Sequence, residues 1–275
     1  LVYGVRGSYG FNLTVYGPNR PLHSGHYGNW APNPIMLLTE LISSMRAPDG
    51  EILVDGYSDQ VVPLSEGELA AIAASPQMDE LLATDLGIGI PETKDRLELA
   101  ITRPAMNLRG ISGGDVGAQA RNVIQPSAQA SIGLRLVQAQ TPDYLRGVIE
   151  KHIEAQGFFI VHEEPTTEQR QQHPRIARLD WRSSGGYPAY RAAFDEPLAI
   201  QISEILYKLS DNTLIQTPTM GGSLPLYIVE DTLNTPILIL PIANHDNNQH
   251  GANENLRLQN LWDAIEIYAA VLTGL

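Results

Sequence analysis

Two histidine-bearing segments, one glycine-rich segment and one arginine hold the side chains most able to do chemistry in this chain of 275 residues. His250 opens the run His250-Gly251-Ala252-Asn253-Glu254-Asn255-Leu256, directly ahead of the amphipathic stretch Leu258 to Leu272, which places its imidazole on the loop leading into a terminal helix. A neutral imidazole whose direction is fixed by a preceding buried strand can ligate a metal such as zinc. Gly221-Gly222-Ser223 precedes Leu224-Pro225 and a short helix. Without Cβ atoms the backbone there can approach a ligand, and free amides at a helix start can grip a carboxylate. Arg135, in Leu134-Arg135-Leu136-Val137, offers a guanidinium that forks onto a carboxylate in a bidentate pair. His23 stands in Leu22-His23-Ser24-Gly25-His26-Tyr27-Gly28-Asn29. Each has a plainer reading as well. His250 can be a solvated histidine, Glu254 a helix cap rather than a group orienting His250, and Gly-Gly-Ser an ordinary turn. Arg135 can pair with a nearby acid, and His23 can bond to its own glycine turn.

Together these segments resemble the carnosinase-type dizinc metallopeptidases, a family that also holds acetylornithine deacetylase, carboxypeptidase G and succinyl-diaminopimelate desuccinylase. The motifs follow family order from about Tyr3 to Leu272. The resemblance implies that His250 is a terminal ligand on one of two Zn2+ ions. It implies that His23 reaches across a dimer interface to stabilise oxyanion charge in the neighbour's active site. Asn122, in Ala120-Arg121-Asn122-Val123-Ile124, and Arg135 match substrate-contacting positions, Arg135 holding a free C-terminal carboxylate, and Gly222 and Ser223 belong to the same substrate-binding set. Asn122 can instead finish a turn. Arg191, in Tyr187-Pro188-Ala189-Tyr190-Arg191, lies where family members often place a further substrate-binding side chain. Gln125 replaces the proline common in the family's Asn122 loop. His245 lacks the following Asn-Glu and reads as a loop residue, and His26, His152, His162 and His173 read as locally packed or solvated.

The family's His-x-Asp, bridging Asp and Glu-Glu motifs have no match. No histidine stands two positions before an aspartate, and the only Glu-Glu pair, Glu163-Glu164, has a different context. The chain therefore reads as the C-terminal portion of an enzyme, beginning at Leu1 without an initiator methionine as a fragment would. The resemblance implies an intact zinc-dependent hydrolase of peptide or N-acyl amide bonds, leaning to a dipeptidase, homodimeric through a lid domain and acting on a small peptide or N-acylated amino acid. The chain alone is expected to be inactive. A non-catalytic dimerisation or binding module and an N-acyl-amino-acid deacylase stay open beside this reading.

Composition narrows the classes. A formal net charge of −13 argues against a nucleic-acid partner, which needs a basic face. No apolar run approaches the ~20 residues that cross a bilayer as a helix, so no membrane partner is expected. The absence of cysteine excludes thiolate metal sites and cysteine nucleophiles, and leaves the compartment open between cytoplasm and periplasm or secretion.

Periodicity supplies the elements that would position these groups. Leu1 to Tyr16 reads as a strand, Pro34 to Arg46 as a helix begun by proline, Glu51 to Val54 as a short strand, and Leu64 to Ala74 as a helix with a Ser65/Glu68 capping box. Ile101 to Leu108 reads as extended, Gly110 to Gly117 as a glycine loop, Ser127 to Val137 as an alternating strand, Pro142 to Gln156 as a helix capped by Thr141, and Phe158 to Val161 as a strand. This is a split βαβ, ferredoxin-like βαββαβ arrangement. It predicts an α+β lid domain with an antiparallel sheet, helices on one face and an insertion from Val61 to Met106. Glu163 to His173 reads as an exposed loop before a strand at Ile176 to Trp181, and Ser183-Ser184-Gly185-Gly186 as the boundary between domains at 1–186 and 187–275. Beyond it, helices at Pro197 to Leu209, Leu224 to Thr232 and Leu258 to Leu272 alternate with strands at Thr213 to Gln216 and Pro236 to Pro241. That pattern predicts the C-terminal part of an α/β layer, which the resemblance makes an aminopeptidase-like catalytic domain.

Overall fold

Alternation along Ser127–Leu136 creates a strand with one apolar face, and the main core forms on that face. The computed structural model describes residues 1–183, 185–211 and 213–275. In chain order the first half contains β1 (Gly4–Val5), β2 (Gly7–Tyr16), β3 (Leu22–His23), α1 (Ser24–Tyr27), α2 (Pro34–Met45), α3 (Glu66–Ala74), α4 (Asp79–Asp85), α5 (Leu97–Ala100), β4 (Ala105–Ser112), β5 (Val123–Ile124) and β6 (Ser127–Leu136). It continues with α6 (Pro142–Ala155), β7 (Phe159–Val161), α7 (Thr167–Gln172), β8 (Ile176–Trp181), β9 (Tyr190–Arg191), α8 (Pro197–Leu209), α9 (Tyr227–Leu233) and α10 (Leu258–Gly274).

The five-stranded sheet has the order β4-β6-β2-β8-β7. At its centre β2 and β6 pair antiparallel over their whole length, from Gly7 opposite Leu136 to Tyr16 opposite Ser127. Tyr9, Phe11, Leu13 and Val15 of β2 share a face with Ala128, Ala130, Ile132, Leu134 and Leu136 of β6. That face is buried against Leu38, Leu41 and Met45 of α2 and Leu145, Ile149 and Ile153 of α6. The three- and four-residue spacings put each helical set on one stripe. Asn33 starts α2 by accepting the Ile35 N–H at 3.0 Å, and Thr141 starts α6 by accepting that of Tyr144 at 3.3 Å, each followed by a proline at the first helical position.

The ferredoxin-like arrangement with both helices on one face is present, with two corrections. The place beside β2 belongs to β8, whose buried Ala177 and Leu179 extend the apolar face; Phe158 to Val161, the last strand of the expected βαββαβ unit, supplies only the three-residue outer edge β7. Because β7 runs parallel to β8, the sheet is mixed rather than antiparallel. Other elements also differ. Glu51 to Val54 forms a single bridge, Ile52 to Arg46, where the chain turns back after α2. The strand expected at 101 starts at Ala105 and runs through the start of the supposed glycine loop to Ser112, with an irregularity between Leu108 and Gly110. Within Glu163 to His173, a Thr166/Gln169 capping box nucleates α7 where a loop was expected. Helix α9 begins at Tyr227 rather than Leu224, because Pro225 keeps the residue before it out of helical geometry.

Residues 1 to 5 do not pack on this sheet's helical face. Gly4 and Val5 pair with Arg191 and Tyr190, while Val2 bridges Thr217 on one side and Ile239 on the other. The strand expected at Thr213 to Gln216 contains no bridge, the pairing residue being the adjacent Thr217, and that expected at Pro236 to Pro241 is reduced to the single bridge at Ile239, since Leu1–Tyr3 offers each too short a partner. Ile237 to Leu240 are correspondingly half-buried instead of covered on both faces. Tyr3, Val5, Tyr190, Ala192 and Ala199 form a second core, and α8 packs on α10 through Ile202, Leu206 and Val271. Of the expected boundary, Ser184 lies outside the described residues.

Two outcomes follow. Ile149→Ala removes a side chain with no exposure from the main core and lowers unfolding free energy by about 2–5 kcal/mol, measured by urea denaturation. Tyr16 donates to Glu164 Oε2 at 2.8 Å, and burial followed by that carboxylate pushes its pKa up to about 12 from the ordinary 10.0. A raised folded-state pKa contributes stability that is complete below pH 10 and is lost as pH rises towards 12. Tyr16→Phe should therefore lessen the fall in urea midpoint across that window; an unchanged alkaline slope contradicts the assignment.

Candidate active site

The pairing of β2 with β6 sorts the candidate residues into groups. At one end Arg135 of β6 lies opposite Ser8 of β2. Its Nη1 donates to Ser223 Oγ at 3.1 Å, and that hydroxyl donates to the Gly7 carbonyl at 3.3 Å. The structure thus brings Arg135, Gly222 and Ser223 together, and adds Arg6, which sequence reasoning missed. The Arg6 side chain donates through Nε and Nη2 to the Gly221 carbonyl at 3.2 and 3.1 Å, while its backbone N–H donates to the Gly222 carbonyl at 3.2 Å. Burial, then the neighbouring charge of Arg135, holds the Arg6 pKa below its ordinary value. A signal was present in the sequence: Arg6 interrupts the apolar run Val2 to Val5 between two strand halves, where a cation must have a partner.

The glycines of this loop have no demanding role inside the chain. A Cβ at Gly221 would meet nothing closer than 3.8 Å and one at Gly222 nothing closer than 3.6 Å, and neither residue has positive φ. Such a Cβ would lie in ordinary contact with Arg6 and Ile101 at Gly221 and with Met220 at Gly222, and Gly222 itself is exposed. The loop is not a helix start, because α9 begins four residues after Ser223. Carboxylate binding here would rest on guanidinium and hydroxyl groups rather than helix amides.

His23 and Asn122 lie at the opposite end. His23 pairs with Val123 across the β3–β5 ladder, and the Ser24 N–H donates to the Asn122 carbonyl at 3.0 Å. Both side chains are exposed. His23 Nδ1 accepts the Gly25 N–H at 3.1 Å, the glycine-turn bond of the plainer reading. That bond also sets the neutral tautomer, since a ring nitrogen that accepts leaves the proton on Nε2, which is then a donor facing solvent. From Ser127 to Arg135 the strand advances roughly 26 Å at ~3.3 Å per residue. The two groups of one chain are thus separated by the length of β6.

Arg191 joins neither group. Its Nε lies 3.1 Å from Glu68 Oε1, with side chains only 11% and 7% exposed. Glu68 Oε2 meanwhile accepts the Ser65 N–H at 2.7 Å, so one carboxylate closes the α3 capping box and holds β9. His250 is exposed at φ 64° on a loop organised by buried Asn244, whose Oδ1 accepts the Arg257 N–H at 3.0 Å. Among the described residues no group of three or more His, Cys, Asp or Glu comes together. Zinc takes four ligands, and one solvent-facing imidazole does not make a zinc site, so these residues by themselves do not fit the metal. His152 bonds Ser44 Oγ at 2.9 Å, and His173 stacks on Phe159 with ring centroids 3.7 Å apart, both packing roles.

The Arg191–Glu68 pair gives a stability prediction. Arg191→Met strands a buried carboxylate and should cost about 3–5 kcal/mol, and adding Glu68→Leu should recover part of it. Denaturation of both variants checks this; unchanged stability in Arg191→Met would show that the pair is not structural.

Comparison with known proteins places this architecture. The chain is 27% identical over 272 residues to a Cys-Gly metallodipeptidase of Schizosaccharomyces pombe, covering 98% of this chain and 54% of that protein. It is 23% identical to a Beta-Ala-His dipeptidase of Mus musculus, covering 98% of this chain and 53% of the relative. The structure of an M20 family metallo-carboxypeptidase from Sulfolobus solfataricus shares the fold with a TM-score of 0.79 at 22% identity, covering 99% of this chain and 59% of that one. The chain spans about half the length of the curated relatives it matches. The model of the M20 peptidase dimerisation domain matches residues 3–158, more than half of the chain, and the chain belongs to that family.

Proposed function

We propose that the protein carrying this chain is a zinc-dependent hydrolase of small peptides, with dipeptides as its substrate class, acting as a homodimer. The observation that carries this reading is the Arg135–Ser223 contact beside the exposed Gly222, at the far end of β6 from His23 and Asn122. Arg135 binds the substrate's terminal carboxylate, Ser223 orients the guanidinium, and the unsubstituted backbone of Gly222 admits the peptide. His23 and Asn122 lie too far along their own chain to reach that substrate. They serve the site of a second copy, where Nε2–H of His23 and the Asn122 amide stabilise oxyanion charge. The dipeptidase names of two relatives support peptides over N-acylated amino acids.

In this reading His250 is the single metal ligand contributed by the chain, one of two Zn2+ ions taking it, and Arg191 acts through Glu68 rather than on substrate. The chain alone does not turn over peptides. A second reading, a non-catalytic dimerisation module, is favoured by the absence of a metal-ligand group among the described residues.

The full-length protein should hydrolyse dipeptides with free termini faster than N-acylated amino acids, lose activity to a chelator and regain it with zinc. Absence of peptide hydrolysis would leave the module reading, and preference for N-acyl substrates would make it a deacylase. His23→Ala should lower kcat by about 10²–10³. Dimers mixed from His23→Ala and His250→Ala subunits should regain activity, since one site in each retains both groups; no recovery would place His23 in its own subunit's site or outside catalysis.

A further inference from the structure

The geometry points to Arg6 as a positioning residue of a two-guanidinium carboxylate subsite, clamping the Gly221–Ser223 loop and adding a second positive charge behind Arg135. The inference rests on the proposed role of Arg135 as the carboxylate ligand and adds a group to which no role has been given.

The chain has 31 acidic residues to 18 lysines and arginines, so an arginine here has every opportunity to find an acid. Arg46, Arg96, Arg146, Arg170, Arg178, Arg191 and others do so. Among the described residues, Arg6 and Arg135, like Arg20, Arg109 and Arg182, meet no carboxylate within salt-bridge distance, but Arg6 and Arg135 are the two held on one loop, Gly221–Ser223. Two half-buried guanidiniums held near each other without an anion repel, and burial weakens the water screening that would relieve them. Such an arrangement is an uncompensated site awaiting a negative charge.

Arg6 uses Nε and Nη2 on a single carbonyl, that of Gly221, leaving Nη1 without a protein acceptor among the described residues. With its backbone N–H on Gly222, it fixes both peptides of the loop whose next residue, Ser223, holds Arg135. The clamp therefore sets where the Arg135 fork points. The lowered pKa of Arg6, from burial and then from Arg135, agrees with this closeness. Binding of one carboxylate removes the repulsion between two cations, so Arg6 strengthens an anion even where Arg135 makes the direct contacts. A ligand of the same shape without charge gains nothing from it.

The test uses the 275-residue chain with N-acetylglycine as the carboxylate probe and N-acetylglycinamide as its uncharged counterpart. Arginine Nε–Hε resonances, assigned through Arg6→Lys and Arg135→Lys, are followed by NMR during titration. Both the Arg6 and Arg135 signals should move with N-acetylglycine and stay in place with the amide. Arg6→Lys keeps a charge but loses the double contact to Gly221, and should weaken N-acetylglycine binding about tenfold, the scale of one charge-assisted hydrogen bond, at an unchanged thermal midpoint. Absence of binding, equal binding of the amide, an unmoved Arg6 signal at saturation, or undiminished affinity in Arg6→Lys would each overturn the inference. The dipeptidase reading is decided separately, by turnover in the full-length protein: an unmoved Arg6 signal or undiminished affinity in Arg6→Lys leaves the role of Arg135 standing, whereas absence of binding or equal binding of the amide removes that role as well.

Discussion

The ten-residue antiparallel ladder between β2 and β6 is the constraint from which the rest of this structure follows. Every other strand of the main sheet is placed by it: β4 on the outer side of β6, β8 on the outer side of β2, and β7 beyond β8. Because side chains alternate along a strand, the same register that turns Phe11, Leu13, Ile132 and Leu134 toward α2 and α6 must turn Ser8 and Arg135 to the opposite face. A one-residue slip would bury Arg135 among leucines. Core packing therefore protects the orientation of the guanidinium at the candidate site, through Leu134 and Leu136 on either side of it.

The ladder also separates functions. One of its ends carries Arg135 and the contact to Ser223; beyond the other, the β3–β5 pairing carries His23 and Asn122. A rigid strand cannot bring its own ends together, so the proposed use of both ends in one reaction calls on a second copy of the chain. Membership of a peptidase dimerisation family fits that demand from an independent direction. The arginines divide along similar lines. Arg191 is spent on Glu68, joining the insertion helix to β9, whereas Arg6 and Arg135 have backbone and hydroxyl partners but no acid. Side chains of one type thus hold the fold together in one place and leave positive charge unanswered in another.

Local signals were legible where one physical cause dominates. Pro34, Thr141 with Pro142, and Ser65 with Glu68 each mark a helix start that the structure reproduces, because a helix start depends on residues within one turn. The strand at Ser127–Leu136 was readable from alternation, and that at Ile176–Trp181 was read with the bounds the structure gives it. Failures came where partners are distant. Thr213 to Gln216 and Pro236 to Pro241 have strand composition, yet a strand is defined by its neighbour, and the neighbour here is only Leu1–Tyr3. Likewise α7 was hidden by its polar composition, even though the Thr166/Gln169 box lay in plain view.

Sequence by itself determined the helix caps, the apolar face of the central strands, the ferredoxin-like succession of elements and the resemblance to metallopeptidases, all of which depend on neighbours within a few residues or on motif order. Only tertiary structure decided that β8 rather than β7 lies beside β2, that Arg191 answers Glu68, that Arg6 reaches Gly221, and that His23 stands a strand's length from Arg135. These are contacts between residues tens to hundreds of positions apart. A side chain's type fixes which partner it can accept, but the folding of intervening chain fixes which partner arrives.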